Sequence, residues 1–398
     1  MRLAQRMSRL GTENAFTVLA QVQRLAAAGH DIINLGIGDP DFDTPTYIKE
    51  AACHSLAEGR THYSPSQGIP PLRAAIAAEL TRTRGVPFSA DEIVVTPGAK
   101  PILFYVLLAL AEEGDEVLYP NPGFPIYESC IEFVGARAVP IPLLEERDFQ
   151  LDIKALQRAV GPRTRVLILN SPNNPTGGVL SRGDLEVVAG LAQRYDAWVM
   201  ADEIYSRFLF EGRFESIAAL PGMKERTIIV DGFSKTYAMT GWRMGYGVMP
   251  AALAQKITQL IINSVSCTAT FIQDAGITAL QGPQDESDRM IAEFRARRDL
   301  VVAGLNTIPG IHCRTPGGAF YAFPNVTEAC RRLRLPNAEA FQDRAMRDAG
   351  VAVLARSNFG RRNEGETEEY VRLSFAASRE HLQEGLRRLR GFVERGAE

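Results

Sequence analysis

Between residues 90 and 235, short apolar runs alternate with helix-like stretches, and each run ends on a polar or glycine-rich turn. EIVVTPGAK (92–100) leads into an apolar helix over 101–113, and DEVLYPNPGF (115–124) and GARAVPIPL (135–143) follow. VLILNSPNNPTGG (166–178) precedes a helix over 181–195, whose Ser181 and Asp184 have capping-box spacing. WVMADEIY (198–205) and TIIVDGFSKT (227–236) close the series. Apolar strands alternating with helices build an α/β fold on a mostly parallel sheet. VLILN, the following helix and WVMAD make one right-handed crossover in it.

The flanks read differently. Residues 1–30 form a helical arm, with Leu19, Val22 and Leu25 at helical spacing. HDIINLGIGDPDFDTP (30–45) is a strand followed by turns. After about residue 285 come a charged helix (287–305), IHCRTPGGAFYAF, an amphipathic stretch (337–349), VAVLARSNFG, YVRLSF and a basic helix (379–395). The expected division is an N-terminal arm and small-domain segment (1–45), a large domain (46–285) and a smaller α+β C-terminal domain (286–398).

Composition removes several function classes. A formal net charge of −3 offers no broad field for nucleic acid. The apolar run ILFYVLLALA (102–111) is about half of a bilayer span, so no membrane partner is expected. The N-terminus MRLAQRMSRLGTEN has no apolar core of a secretory signal. The five cysteines never form CxxC, and HExxH is absent, so no metal site is expected and a cytoplasmic location fits. Only six of the 44 lysine and arginine residues are lysine: Lys49, Lys100, Lys154, Lys224, Lys235 and Lys256. If chemistry needs an amine, the candidates are few.

Four strand tails share one character. EIVVT ends at TPGAK, VLILN at Asn170, WVMA at Asp202 and TIIV at Asp231 before GFSK. In an open parallel sheet ligands bind at the carboxyl ends of the strands, so these tails are expected to converge. Singly, each polar residue is ordinary loop punctuation. In combination they assemble a Gly turn before a helix, an amide, a buried carboxylate, a phenol at Tyr205 and a lysine. GIGDPD (36–41) lacks the third glycine of a dinucleotide fingerprint, and TPGAKP lacks Walker spacing, so neither marks a nucleotide site. An amine kept partly neutral in a closed pocket is a Schiff-base nucleophile. The helix start at 98–102, Ser234 and Arg243 supply anion donors. This is the inventory that pyridoxal phosphate requires.

At these residues the chain resembles the class I and II aminotransferases of the pyridoxal-phosphate fold type I, over roughly residues 10–390. The resemblance rests on NLGIGDPDFDTP, HYSPSQGIPPLR, TPGAK, SPNNPTGG, ADEIY, GFSKTYAMTGWRMGY, GGAFY and YVRLSFAAS. It implies that Lys235 forms the Schiff base with the cofactor and moves the substrate Cα proton. Asp202 would keep the ring nitrogen protonated, Tyr205 and Asn174 would bond the ring hydroxyl, and Phe124 would stack on the ring. The amides of Gly98, Ala99 and Lys100, with Ser234 and Arg243, would hold the phosphate. Tyr63 would reach the phosphate of the neighbouring subunit, making an obligate homodimer with shared sites. Arg372 would clamp the substrate α-carboxylate, with Asn174 touching it and Gly38 leaving room. LARSNFG (354–360) replaces a more usual proline-glycine turn, so Arg356 is read as an extra contact for an acidic substrate or as a surface charge.

The implied reaction is a ping-pong transfer of an amino group between an L-amino acid and a 2-oxo acid. Lys100 matches a lysine that meets the distal carboxylate in a subgroup of bacterial aspartate aminotransferases, which favours aspartate and glutamate. Aromatic or alanine specificity stays open, as does another chemistry on the same cofactor, such as β-elimination from cysteine conjugates. A regulator built on this scaffold would carry an N-terminal DNA-binding module, and fewer than about 30 residues precede the first core strand, too few for one.

Overall fold

The computed structural model describes residues 3–12 and 15–396. The strands are β1 (Ile33–Asn34), β2 (Ile93–Thr96), β3 (Glu116–Asn121), β4 (Arg137–Leu144), β5 (Gln150–Leu151), β6 (Thr164–Asn170), β7 (Trp198–Asp202), β8 (Thr227–Gly232), β9 (Gly245–Val248), β10 (Tyr321–Ala322), β11 (Val351–Ala352), β12 (Leu354–Ala355) and β13 (Val371–Ser374). Eight of them form one sheet in the order β2-β9-β8-β7-β6-β3-β4-β5. β4, β3, β6, β7 and β8 run parallel, as the alternating pattern predicts. β9 is antiparallel to both β8 and β2, which returns β2 to the direction of β8. Its sequence GYGV does not announce a strand, because two of four positions are glycine.

Successive strand residues face opposite sides of the sheet. Val166, Ile168, Met200, Ile228 and Val230 pack with Ile102, Val106, Ile131 and Ile257, from the helices Lys100–Leu110, Ile126–Val134 and Ala251–Ile262. Leu167 and Val199 pack with Leu185 and Val188 of the helix Arg182–Arg194 on the other face. On that same side Ile229 meets Leu72 and Ile76 of Pro70–Arg84. Both faces are covered, so the central strands are apolar throughout.

Beyond the large sheet, β10, β13 and β12 form an antiparallel three-stranded sheet. It packs with the helices Asp285–Leu305, Ala338–Ala349 and Arg379–Arg395 through residues such as Phe294, Phe341 and Leu389. β1 pairs with β11, so the segment after the N-terminal helix joins this smaller layer.

Two local expectations need correction. The N-terminal arm is broken: a short 3-10 turn at Gln5–Arg9 precedes the helix Ala15–Ala27. Ser181 does cap its helix by accepting from the Asp184 amide at 3.1 Å, but the Asp184 carboxylate pairs with Arg147 at 3.0 Å instead of completing a capping box.

Candidate active site

A cavity of about 500 Å³ opens where the carboxyl ends of β2, β3, β6, β7 and β8 meet the smaller layer. Parallel strands deliver their tails to one edge, which is why residues far apart in sequence line it. Asn170, the last residue of β6, joins two of these tails. Its Oδ1 accepts from the Asn174 amide at 2.8 Å, and its Nδ2 donates to the Asp202 carbonyl at 3.1 Å.

Asp202 closes β7 and is buried in the cavity wall. Tyr127 donates to its Oδ2 at 2.6 Å, and the Ile204 amide donates to its Oδ1 at 3.4 Å. Burial outweighs these bonds and pushes the carboxyl up to about 6. Tyr205 is also buried, and its hydroxyl shares a 2.8 Å hydrogen bond with that of Tyr321. Burial first, then the neighbouring Tyr321, holds the Tyr205 phenol well above the usual range, so it keeps its proton.

Lys235 follows β8, and its Nζ donates to the Gly38 carbonyl at 2.6 Å. Gly38 accommodates a close approach: a Cβ there would lie 1.9 Å from the Tyr321 hydroxyl. The space beside Gly38 is thus taken by Tyr321. Arg372, buried in β13, donates Nη1 to Asn174 Oδ1 at 2.8 Å and Nη2 to the Gly36 carbonyl. Because arginine only donates, Asn174 turns its carbonyl to Arg372 and keeps its NH₂ for another acceptor. The Arg372 guanidinium lies between two rings, 4.4 Å from Tyr321 and 4.7 Å from Phe359.

At the opposite wall, Gly98 holds φ +86° in the turn before the helix Lys100–Leu110. A Cβ at Gly98 would lie 2.3 Å from Arg243 Nη2, so glycine lets the guanidinium sit against the bare turn. Ala99, Lys100, Ser234 and Arg243 line the cavity beside it. Phe124 presents its ring to the cavity, edge-on to Tyr127 at 5.7 Å, with Lys100 Nζ 5.1 Å from its centre.

Of the residues singled out in the sequence, Gly38, Ala99, Lys100, Phe124, Asn174, Asp202, Tyr205, Ser234, Lys235, Arg243 and Arg372 line this cavity, and Gly98 lies under Arg243. Tyr63 is not among the lining residues and is 90% exposed. Both readings of Arg356 are overturned. It neither faces the cavity nor meets solvent: its side chain is fully buried in a bidentate pair with Glu366, at 2.7 and 2.9 Å. Asp231 also leaves the expected cluster and pairs with Arg84 at 2.9 Å. Tyr127 and Tyr321 are among the cavity residues that the sequence reading did not single out. Their signals were faint: Tyr321 ends the matched stretch GGAFY, Tyr127 stands three residues after Phe124, and a buried carboxylate calls for a donor such as Tyr127.

These features suit pyridoxal phosphate. Both hydrogen bonds to the buried Asp202 carboxylate come from neutral donors, which fits a protonated ring nitrogen as the cation at that wall. The open Gly98 turn at a helix start beside Arg243 fits a phosphate. The Lys235 amine lines the same cavity.

Comparison with known proteins agrees. The probable aspartate/prephenate aminotransferase of Aquifex aeolicus is 39% identical over 98% of both chains. The aromatic-amino-acid aminotransferase 2 of Thermococcus litoralis is 39% identical over 92% of both. The solved alanine aminotransferase of Pyrococcus furiosus superimposes with a TM-score of 0.92 at 32% identity, covering 99% of this chain and 100% of that one. The sequence profile of the family described as aminotransferase class I and II matches residues 30–389. With that match and these relatives, the chain belongs to the class I and II aminotransferases, enzymes that use pyridoxal phosphate.

Proposed function

We propose that the chain transfers amino groups between aspartate or glutamate and their 2-oxo acids by a ping-pong mechanism. The observation that carries this reading is the pair of cations on one cavity: Arg372 beside Asn174, and Lys100 beside Phe124. Two cations suit a substrate with two carboxylates. The Aquifex relative, named for aspartate and prephenate, points the same way.

When bound, pyridoxal phosphate supplies an aldehyde that condenses with amines and a ring that delocalises the electron pair left at the substrate Cα. The protein's own groups do the rest. Lys235 Nζ takes the Cα proton and returns it, a general acid–base role suited to an amine in a closed site. Asp202 would keep the ring nitrogen protonated. Tyr205 and the NH₂ of Asn174 would bond the ring hydroxyl, and Phe124 would pack on the ring. The amides of Gly98, Ala99 and Lys100, with Ser234 and Arg243, would hold the phosphate. Arg372 grips the α-carboxylate and Lys100 the distal one, while Gly38 and Tyr321 shape the wall between them.

Tyr63 has its role in a homodimer, where Tyr63 of the partner subunit reaches the phosphate site. Its exposure on a single chain supports this: a tyrosine 90% exposed has no packing task within its own chain.

The test is a screen of amino donors and 2-oxo acids on the purified enzyme, read by the cofactor's spectral change. Aspartate and glutamate, with oxaloacetate and 2-oxoglutarate, are expected to be the best pairs. Faster turnover of alanine or of aromatic amino acids, specificities named for two of the relatives, would overturn the dicarboxylate reading. Pyruvate and ammonia release from cystathionine without any 2-oxo acid would overturn transamination itself.

A further inference from the structure

Residues 356–366 form a strap wound around the buried Arg356 side chain. All five of its N–H donors are matched. Nε and Nη2 form the fork to Glu366, and Nη2 also donates to the Arg361 carbonyl at 3.1 Å and to Asn121 Oδ1 at 3.3 Å. Nη1 donates to the carbonyls of Phe359 at 3.4 Å and Gly360 at 3.0 Å. One guanidinium therefore gathers three successive carbonyls and the far end of the strap. Glu366 Oε2 also accepts from the Asn363 amide at 2.9 Å.

The strap reaches the Arg372 wall of the active site and the turn that precedes Phe124. Phe359, held by its carbonyl to Arg356, lays its ring 4.7 Å from the Arg372 guanidinium. The same carbonyl accepts from the Gly123 amide at 3.0 Å, next to Phe124. At its far end Asn121, the last residue of β3, donates to the Arg361 carbonyl and to Asn363 Oδ1, each at 2.7 Å. Arg356 itself does not line the cavity.

We propose that Arg356 is a positioning residue for substrate-carboxylate recognition: its buried pair with Glu366 fixes Phe359, and Phe359 fixes the guanidinium plane of Arg372. This rests on the reading of Arg372 as the α-carboxylate clamp. A bidentate fork discriminates by geometry, so a ring packed on one face sets where its two N–H vectors point. Lysine cannot replace Arg356, because three donors on one nitrogen cannot span a carboxylate and three carbonyls.

The test uses Arg356→Lys, Glu366→Gln and Arg372→Lys in the holoenzyme, with maleate as a non-reacting dicarboxylate probe measured by calorimetry. Affinity for pyridoxal phosphate is measured on the cofactor-free proteins by fluorescence titration. Arg356→Lys and Glu366→Gln are expected to weaken maleate roughly ten- to a hundredfold, the scale of a displaced binding group. Cofactor affinity is expected to stay within about threefold of wild type, since the strap reaches the carboxylate side and not the phosphate turn. If Arg356→Lys folds poorly, Glu366→Gln carries the test, because it keeps the side-chain shape while losing the charge and one of the two acceptors of the fork. Wild-type maleate affinity in these variants, beside a loss in Arg372→Lys, would overturn the proposal and leave the Arg372 reading standing. Unchanged maleate binding in Arg372→Lys would overturn the clamp reading, and this proposal with it.

Discussion

Asp202 ends β7 and Asp231 lies one residue from the end of β8, its neighbour in the sheet. Both are buried, at 7% and 6% exposure, yet they face opposite sides. Asp202 stands in register with Val230, so the next residue, Asp231, points to the other face. There Asp231 meets Arg84, which also pairs with Glu203 at 2.8 Å and donates to Ser206 Oγ at 2.9 Å. Burial raises both carboxyls, Asp202 to about 6 and Asp231 to about 7, the latter with Arg84 pulling down against Glu203 and Asp202. One face answers a buried carboxylate with its own arginine. The other surrounds it with neutral donors at the edge of a cavity. A charge the protein balances internally is structural, and one it leaves to a ligand is functional.

The largest effect expected on the cavity face is Lys235→Ala. Turnover falls by at least about 10⁴-fold, and the absorbance of lysine-bound cofactor disappears. Thermal stability of the cofactor-free chain changes little. A variant turning over at the wild-type rate would remove Lys235 from the chemistry. The counterpart on the opposite face is Arg84→Met, which leaves Glu203 and Asp231 buried without a cation. It is expected to cost about 3–5 kcal/mol in a denaturation curve, with kcat/KM per folded molecule changed less than about threefold. A stable variant with collapsed activity would erase the distinction between the faces.

Asp202→Asn is expected to have a smaller effect, of reversed sign at neutral pH. The Asp202 carboxyl titrates near 6 in the fold against about 3.8 in a solvated chain. The folded state thus favours the protonated form. The stability this contributes is complete below about pH 4 and is lost as pH rises through about 6. Asparagine removes that loss. The cofactor-free variant is expected to match wild type near pH 4 and to exceed it by up to about 3 kcal/mol near pH 8. Its turnover is expected to fall about a hundredfold or more, because no carboxylate then holds the ring proton. A stability difference independent of pH would show that Asp202 is not held out of its ordinary range.

This pair of strands also shows what the sequence could reveal. WVMAD and TIIVD are apolar on both faces, so alternation carries no signal of which way Asp202 or Asp231 points. The partner that decides it, Arg84, is 147 residues away from Asp231. The strand-tail pattern did mark Asn170, Asp202 and Lys235, because a parallel sheet sends every carboxyl end to one edge. Arg356 was illegible for the same reason as Asp231: its duty is set by Glu366 and Asn121, and the latter joins it only through folding. Nothing in the sequence separates Tyr127 and Tyr321 from core aromatics, and only their hydroxyl partners, Asp202 and Tyr205, distinguish them.

Lys100 gives the finest division, within the cavity face itself. It begins the helix Lys100–Leu110, so its amide lies at the Gly98 turn proposed for the phosphate, while its side chain lies over Phe124. Replacing it with alanine keeps the amide and removes only the amine. A charge-assisted bond to a distal carboxylate is worth about 1.5–3 kcal/mol, so Lys100→Ala is expected to raise KM for aspartate and 2-oxoglutarate roughly tenfold or more. KM for alanine and phenylalanine, which lack that carboxylate, is expected to stay within about twofold. Cofactor affinity separates the two parts of the residue: it is expected to hold, since the backbone donor is intact. Equal increases for all four substrates would mean that the amine acts on something they share, and the aspartate reading would fall while the aminotransferase assignment stood.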